Sequence, residues 1–129
     1  MLDTDTREIL CAAASSAQDK KAFELTALDV SDVTSFTDAF LLCSTSSKRH
    51  LDAVADGIQR ALRQKKRRPL HTEGNAGSSW VLLDYGDVIV HVFTEERRSY
   101  YKLESLWGDA PRLTSSDLGL DPDEAPTGA

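Results

Sequence analysis

Trp80-Val81-Leu82-Leu83-Asp84-Tyr85-Gly86-Asp87-Val88-Ile89-Val90-His91-Val92-Phe93 is the stretch on which the fold of this chain turns. Two runs of β-branched, leucine and aromatic residues, at 80–83 and 88–93, flank an Asp-Tyr-Gly-Asp break. The glycine there can supply the positive φ of a tight turn, so the stretch predicts a β-hairpin. His91 sits in the most apolar run and alternates onto the face of Ile89 and Phe93. That placement predicts an imidazole at the edge of the core with one hydrogen-bond partner.

Upstream, Ala39-Phe40-Leu41-Leu42-Cys43 is wholly apolar and of strand length, the pattern of an interior strand buried on both faces. Ser44-Thr45-Ser46-Ser47 follows, and then Leu51, Val54, Ala55, Ile58 and Leu62 recur at helical spacing, which predicts a helix over 47–66 with the hydroxyls as its N-cap. Pro69 ends it, and Leu70-His71-Thr72 is a short strand candidate. Nearer the start, Phe23, Leu25 and Ala27 alternate with Glu24 and Thr26 in an extended segment over 23–30. Before it lies an Ala-rich helix over 4–19, with Thr4 or Thr6 as cap. Downstream, Thr94 caps a last helix that carries Glu95 and Glu96 in its first turn and stops at Pro111. The order implies an α/β chain of the α+β sandwich kind: a mixed sheet of about five strands with flanking helices. The relative direction of the first two strands is left open.

With 129 residues, 40% hydrophobic and 28% charged, the chain is one globular domain. We expect it to cover 1–113, with 114–129 as a disordered acidic tail, because the last sixteen residues hold Asp117, Asp121, Asp123 and Glu124 and no cation. Removing those four acids from the net charge of −6 leaves about −2 on the body, which argues against a protein that coats nucleic acid by neutralising phosphates. Cys11 and Cys43 have no neighbouring cysteine, so both read as small buried hydrophobes. No apolar run reaches the ~18 residues of a membrane span. The first dozen residues carry Asp3, Asp5 and Glu8 against Arg7 alone, unlike a leader, which predicts a cytosolic address.

Three clusters bear on chemistry. Asp84 and Asp87 bracket the hairpin turn and could hold Mg²⁺ for nucleotidyl transfer, although aspartate is favoured in such turns for backbone hydrogen bonding alone. A transferase would also want a glycine where the corner reads Ser44-Thr45-Ser46-Ser47, so the turn reading is preferred and no metal or cofactor is expected. His50, His71 and His91 are too scattered for a metal triad. Arg60, Arg63, Lys65, Lys66, Arg67 and Arg68 complement the dipole at the end of the long helix and could brush an RNA backbone, with no aromatic among them for base stacking. Finally, Trp80, Tyr85, Phe93, Tyr100, Tyr101 and Trp107 crowd one region beside Arg97 and Arg98. Tyr100 and Tyr101 diverge by about 100° on a helix, so at least one should face outward. Exposed Trp, Tyr and Arg together have the composition of a protein-binding hot spot.

Phe36-Thr37-Asp38-Ala39-Phe40, the Ser/Thr corner leading to Lys48-Arg49-His50, the hairpin quoted above, and Glu95-Glu96-Arg97-Arg98-Ser99-Tyr100-Tyr101-Lys102-Leu103-Glu104-Ser105-Leu106-Trp107 together resemble the ribosomal silencing factor family, also called Iojap-like. The likeness spans roughly residues 5–110. It implies a fold related to nucleotidyltransferases without their catalytic set, and a binder in place of an enzyme. It further implies attachment to the large ribosomal subunit through ribosomal protein L-fourteen, at the face that meets the small subunit, so that joining is blocked and translation falls when nutrients run short. A homodimer in the free state is implied as well. Carried over by position, the partner surface is Trp80, Asp84, Tyr85, Gly86 and Asp87, with Arg97, Tyr100 and Tyr101 peripheral. Tyr85 stands where other members often have leucine, and Thr45 replaces a common glycine.

Overall fold

The computed structural model describes residues 2–74, 77–97, 110–114 and 116–120. Its elements run α1 (Thr4–Asp19), β1 (Phe23–Asp29), β2 (Ala39–Thr45), α2 (Lys48–Gln64), β3 (His71–Glu73), β4 (Trp80–Asp84), β5 (Val88–Thr94) and β6 (Arg112–Leu113). One six-stranded sheet forms in the order β3-β4-β5-β2-β1-β6. Strands β2 and β5 are parallel, and every other neighbouring pair is antiparallel. The mixed sheet with flanking helices is thus as expected, and β1 and β2 run in opposite directions. The sixth strand was not foreseen: it is two residues long and pairs Leu113 with Ala27 and Arg112 with Leu28.

Alternation along the strands sorts the core into two layers. Ala39, Leu41 and Cys43 of β2, Val81 and Leu83 of β4, and Val88, Val90 and Val92 of β5 join one layer with the buried faces of α1 and α2. Phe40, Leu42, Ile89 and Phe93 point the other way, with Trp80 and Leu82 packed against them. β2 is buried along its whole length: β5 and β1 pair with its two edges, α1 and α2 cover one face, and Phe40 and Leu42 on the other cluster with Leu28, Val30, Ile89, Phe93 and Ala110. Among the described residues no helix is long and apolar enough to cross a membrane.

Several local details differ from expectation. Asp3, not Thr4 or Thr6, caps α1, its carboxylate accepting from the Thr6 N–H at 2.8 Å. Thr6 is buried instead. Cys43 is buried, whereas Cys11 is only half-buried. The stretch expected to begin a detached tail is packed on the body: Leu118 and Leu120 are buried in the layer under the helices. A reciprocal cap holds it, with the Thr114 N–H donating to Asp117 Oδ2 at 3.0 Å and the Asp117 N–H to Thr114 Oγ1 at 3.1 Å. Its apolar pair outweighs its acidic composition. Residues 121–129 lie outside the described residues.

The corner between β2 and α2 behaves as a cap. Ser47 Oγ accepts from the His50 N–H at 3.0 Å, and Thr45 Oγ1 donates to the Phe93 carbonyl at 2.9 Å. His50 Nδ1 accepts from the Ser46 N–H, and its Nε2 lies 2.8 Å from the Lys20 carbonyl, so the ring ties the start of α2 to the end of α1.

Candidate functional site

The β4–β5 hairpin forms as expected, with Trp80 opposite Phe93 and Asp84 opposite Ile89. Four residues at about 3.3 Å each separate the two ends by about 13 Å, so the hairpin has two distinct poles.

At the turn pole, Gly86 takes a φ of +89° and its N–H donates to Asp84 Oδ1 at 2.8 Å. Asp87 accepts two bonds from one guanidinium, Arg67 Nη2 at 2.7 Å and Nη1 at 3.4 Å, and a third from Thr6 Oγ1 at 3.2 Å. Arg67 Nη2 also donates to the Tyr85 carbonyl at 2.9 Å. The hydrogen bond to Asp87 holds the Arg67 guanidinium even more firmly in its charged form. Tyr85 is 2% exposed, because the chain's alternation puts Val81, Leu83 and Tyr85 on one side, facing the helices. Its hydroxyl has no hydrogen-bond partner among the described residues, and burial pushes the phenol above its usual range while Arg63 and Arg67 pull it back.

At the open pole, Trp80 is half-buried. Its ring stacks on Phe93 with centroids 5.2 Å apart, and its indole N–H donates to His91 Nδ1 at 3.2 Å. His91 lies flat against Phe93 at 5.9 Å and takes the edge of Phe40 at 5.5 Å. It is the edge-of-core imidazole expected, and the one hydrogen-bond partner expected for it is Trp80. Burial depresses its pKa from 6.5 to about 4, so near neutral pH the ring is uncharged and Nδ1 is free to accept. The Arg97 guanidinium stands 5.9 Å from the Trp80 ring centroid, and its Nη1 donates to Ser79 Oγ at 3.4 Å. The Arg97 N–H donates to Thr94 Oγ1, the cap expected there. An open groove of about 420 Å³ runs beside these groups, with Lys48, Glu73, Ser79, Trp80, Leu82 and Arg97 in its walls. Gly74 also borders it with a φ of +87°, and a Cβ there would come within 2.5 Å of the Trp80 carbonyl. Any side chain at 74 would therefore push β4 out of place.

The profile of a family described as "Ribosomal silencing factor during starvation" matches residues 3–128. The chain belongs to the ribosomal silencing factor family. A relative from Bacillus subtilis (strain 168), named ribosomal silencing factor RsfS, is 40% identical over 115 residues, covering 89% of this chain and 97% of that protein. A crystal structure from Chromobacterium violaceum, 33% identical, superposes with a TM-score of 0.77 over 83% of this chain and 88% of that one. A mouse protein named for mitochondrial assembly of the ribosomal large subunit is 32% identical over 75 residues, 56% of this chain and 33% of its own length.

Among the described residues, the surface expected of a ribosomal silencing factor is divided between the two poles. Trp80 and Arg97 meet at the open pole, whereas Asp84, Gly86 and Asp87 lie at the turn. Tyr85 needs correction: it is a core side chain and offers a partner no ring. Asp87 is held within the chain by Arg67 and Thr6. Tyr100, Tyr101, Arg98 and Trp107 lie outside the described residues. The same contacts argue against Asp84 and Asp87 as a magnesium pair, since one carboxylate is bound by a guanidinium and the other folds over the turn. Sequence reasoning missed Lys48, Glu73, Gly74 and Ser79 as neighbours of Trp80. Gly74 and the Ser78-Ser79 pair carried a turn signal, but nothing in it pointed to Trp80.

Proposed function

We propose that this ribosomal silencing factor attaches to the large ribosomal subunit through ribosomal protein L-fourteen, occludes the face that meets the small subunit, and so represses translation when nutrients are limiting. One observation carries the reading: a half-buried tryptophan, fixed from below by Phe93 and His91 and flanked by Arg97, opens onto a groove. A rigid indole beside a guanidinium is the composition of an interface hot spot, and the fixed ring loses little freedom on binding. The bacterial relative's name supports a role at the ribosome, and the mouse relative's name a role at its large subunit. The mechanism needs no catalytic group, because steric exclusion suffices. It places the protein in the cytosol with the ribosome, and a free homodimer would compete for the same surface.

Sedimentation of purified large and small subunits with and without the protein tests this directly. Added protein should leave the subunits separate and travel with the large one. Trp80→Ala should weaken retention by about thirtyfold to a thousandfold, the loss of about 2–4 kcal/mol that a central aromatic carries. A Trp80→Ala protein with unchanged circular dichroism that is still fully retained would show that the contact lies elsewhere.

A further inference from the structure

The six cations between Arg60 and Arg68 do not act alike. Lys65 Nζ pairs with Glu8 at 3.0 Å, and Arg67 is bound by Asp87 and the Tyr85 carbonyl. Arg63 and Arg68 are exposed, and neither makes a side-chain hydrogen bond or ion pair among the described residues. Helix α2 ends in a reversal: the Lys66 N–H donates to the Arg63 carbonyl and the Arg67 N–H to the Leu62 carbonyl, both at 2.9 Å. Lys66 takes a φ of +63° to make this turn, a conformation usually left to glycine and worth about 1 kcal/mol of strain in a lysine. The reversal brings Arg67 and Arg68 back beside Gln59 and Arg63, which are one helical turn apart. With Pro69 these four residues line an open hollow of about 260 Å³.

We propose that this hollow binds a phosphate group. Arg67, clamped from behind by Asp87, forms a fixed wall whose charge is largely balanced, so Arg63 and Arg68 supply the net attraction and Gln59 an amide donor. Guanidinium forks match phosphate oxygens two at a time. The end of α2 is the negative pole of its dipole and repels an anion, so the side chains alone must hold it. That condition makes the site sensitive to their removal. The phosphate can come from an RNA backbone or from a free polyphosphate, and the hollow is separate from the Trp80 groove.

Calorimetric titration of the full chain with inorganic pyrophosphate, and separately with a short RNA duplex, tests the proposal. At least one of them should bind, and the double substitution Arg63→Gln with Arg68→Gln should weaken binding about tenfold or more, because two of the charges that compensate phosphate are gone. Arg60→Gln, which alters no residue lining the hollow, should change it less than twofold. Binding of pyrophosphate assigns the site to free polyphosphates. Binding of RNA alone, with a log-log salt slope made shallower by about 0.9 per arginine removed, assigns it to the nucleic-acid backbone. All three arginines are exposed, so circular dichroism should not change. Binding of neither ligand, or an equal loss in Arg60→Gln, overturns the site. Retention on large subunits is read through Trp80 and fails or holds independently of this result.

Discussion

The two poles of the β4–β5 hairpin put similar residues to opposite uses. At the turn, an aromatic ring and two carboxylates are answered from inside the chain: Tyr85 fills the layer under the helices, Arg67 and Thr6 take Asp87, and Gly86 folds over Asp84. At the other pole an aromatic ring and a guanidinium border an open groove. In both places an arginine meets a Trp or Tyr residue, yet the turn arginine is anchored by a carboxylate and the open one by a ring face and a serine hydroxyl. A partner that approaches the turn must displace a charge-assisted pair, whereas one that approaches Trp80 finds a surface already held in place.

Truncation of the two rings should separate the poles most widely. Tyr85→Ala removes a ring that is 2% exposed, and should cost about 3–5 kcal/mol of stability in urea denaturation, enough to unfold much of the protein at moderate temperature. Trp80→Ala should cost clearly less stability and far more binding. If Tyr85→Ala left the denaturation midpoint unmoved, the turn would be a surface after all.

Acid should act on the open pole through His91. His91 binds its proton near pH 6.5 in the unfolded chain and only at about 4 when folded. Stability is therefore full above pH 6.5 and falls as the pH drops through about 4, by about 3 kcal/mol in all. Protonation also turns Nδ1 from acceptor to donor against the Trp80 N–H. Urea midpoints measured from pH 7.5 to 4 should show the loss, with near-ultraviolet dichroism of Trp80 changing alongside. His91→Phe should flatten this component of the profile, and an unchanged slope would detach it from His91.

How much of this was legible depended on whether local pattern or distant pairing set each feature. The hairpin, the interior strand β2 and the helix α2 were readable because their alternation or 3.6-residue period is carried by many residues at once. Burial of Tyr85 also had a signal, since it shares the parity of Val81 and Leu83, but its place in a polar turn masked the alternation. Leu118 and Leu120 were hidden by acidic neighbours, although Thr114 and Asp117 stand at capping-box spacing. β6 is two residues after a proline and carries no period at all. The Arg67–Asp87 pair joins positions 20 residues apart, and nothing local announces which cation of a run will be taken.

Breaking that pair tests how far the turn depends on it. Arg67→Met takes the guanidinium away from the Tyr85 carbonyl and from Asp87, which keeps the Thr6 hydroxyl as a donor. The two charged side chains are 31% and 22% exposed, so the loss should fall below that of a fully buried pair, at about 2 kcal/mol in urea denaturation. A loss near zero would mean that the turn stands on Tyr85 packing and the Gly86 bend alone.

The smallest change is the most discriminating. Tyr85→Phe removes one hydroxyl from a ring that otherwise keeps its place, and that hydroxyl is buried with no hydrogen-bond partner among the described residues. A buried hydroxyl without a partner is desolvated for no return, so its removal should leave stability within about 0.5 kcal/mol or raise it. Retention on large subunits should not change, because the ring faces the helices and not the partner. A loss above about 1 kcal/mol would place an ordered water or another polar group on the hydroxyl, whereas lost retention with intact stability would return Tyr85 to the binding surface and merge the two poles into one.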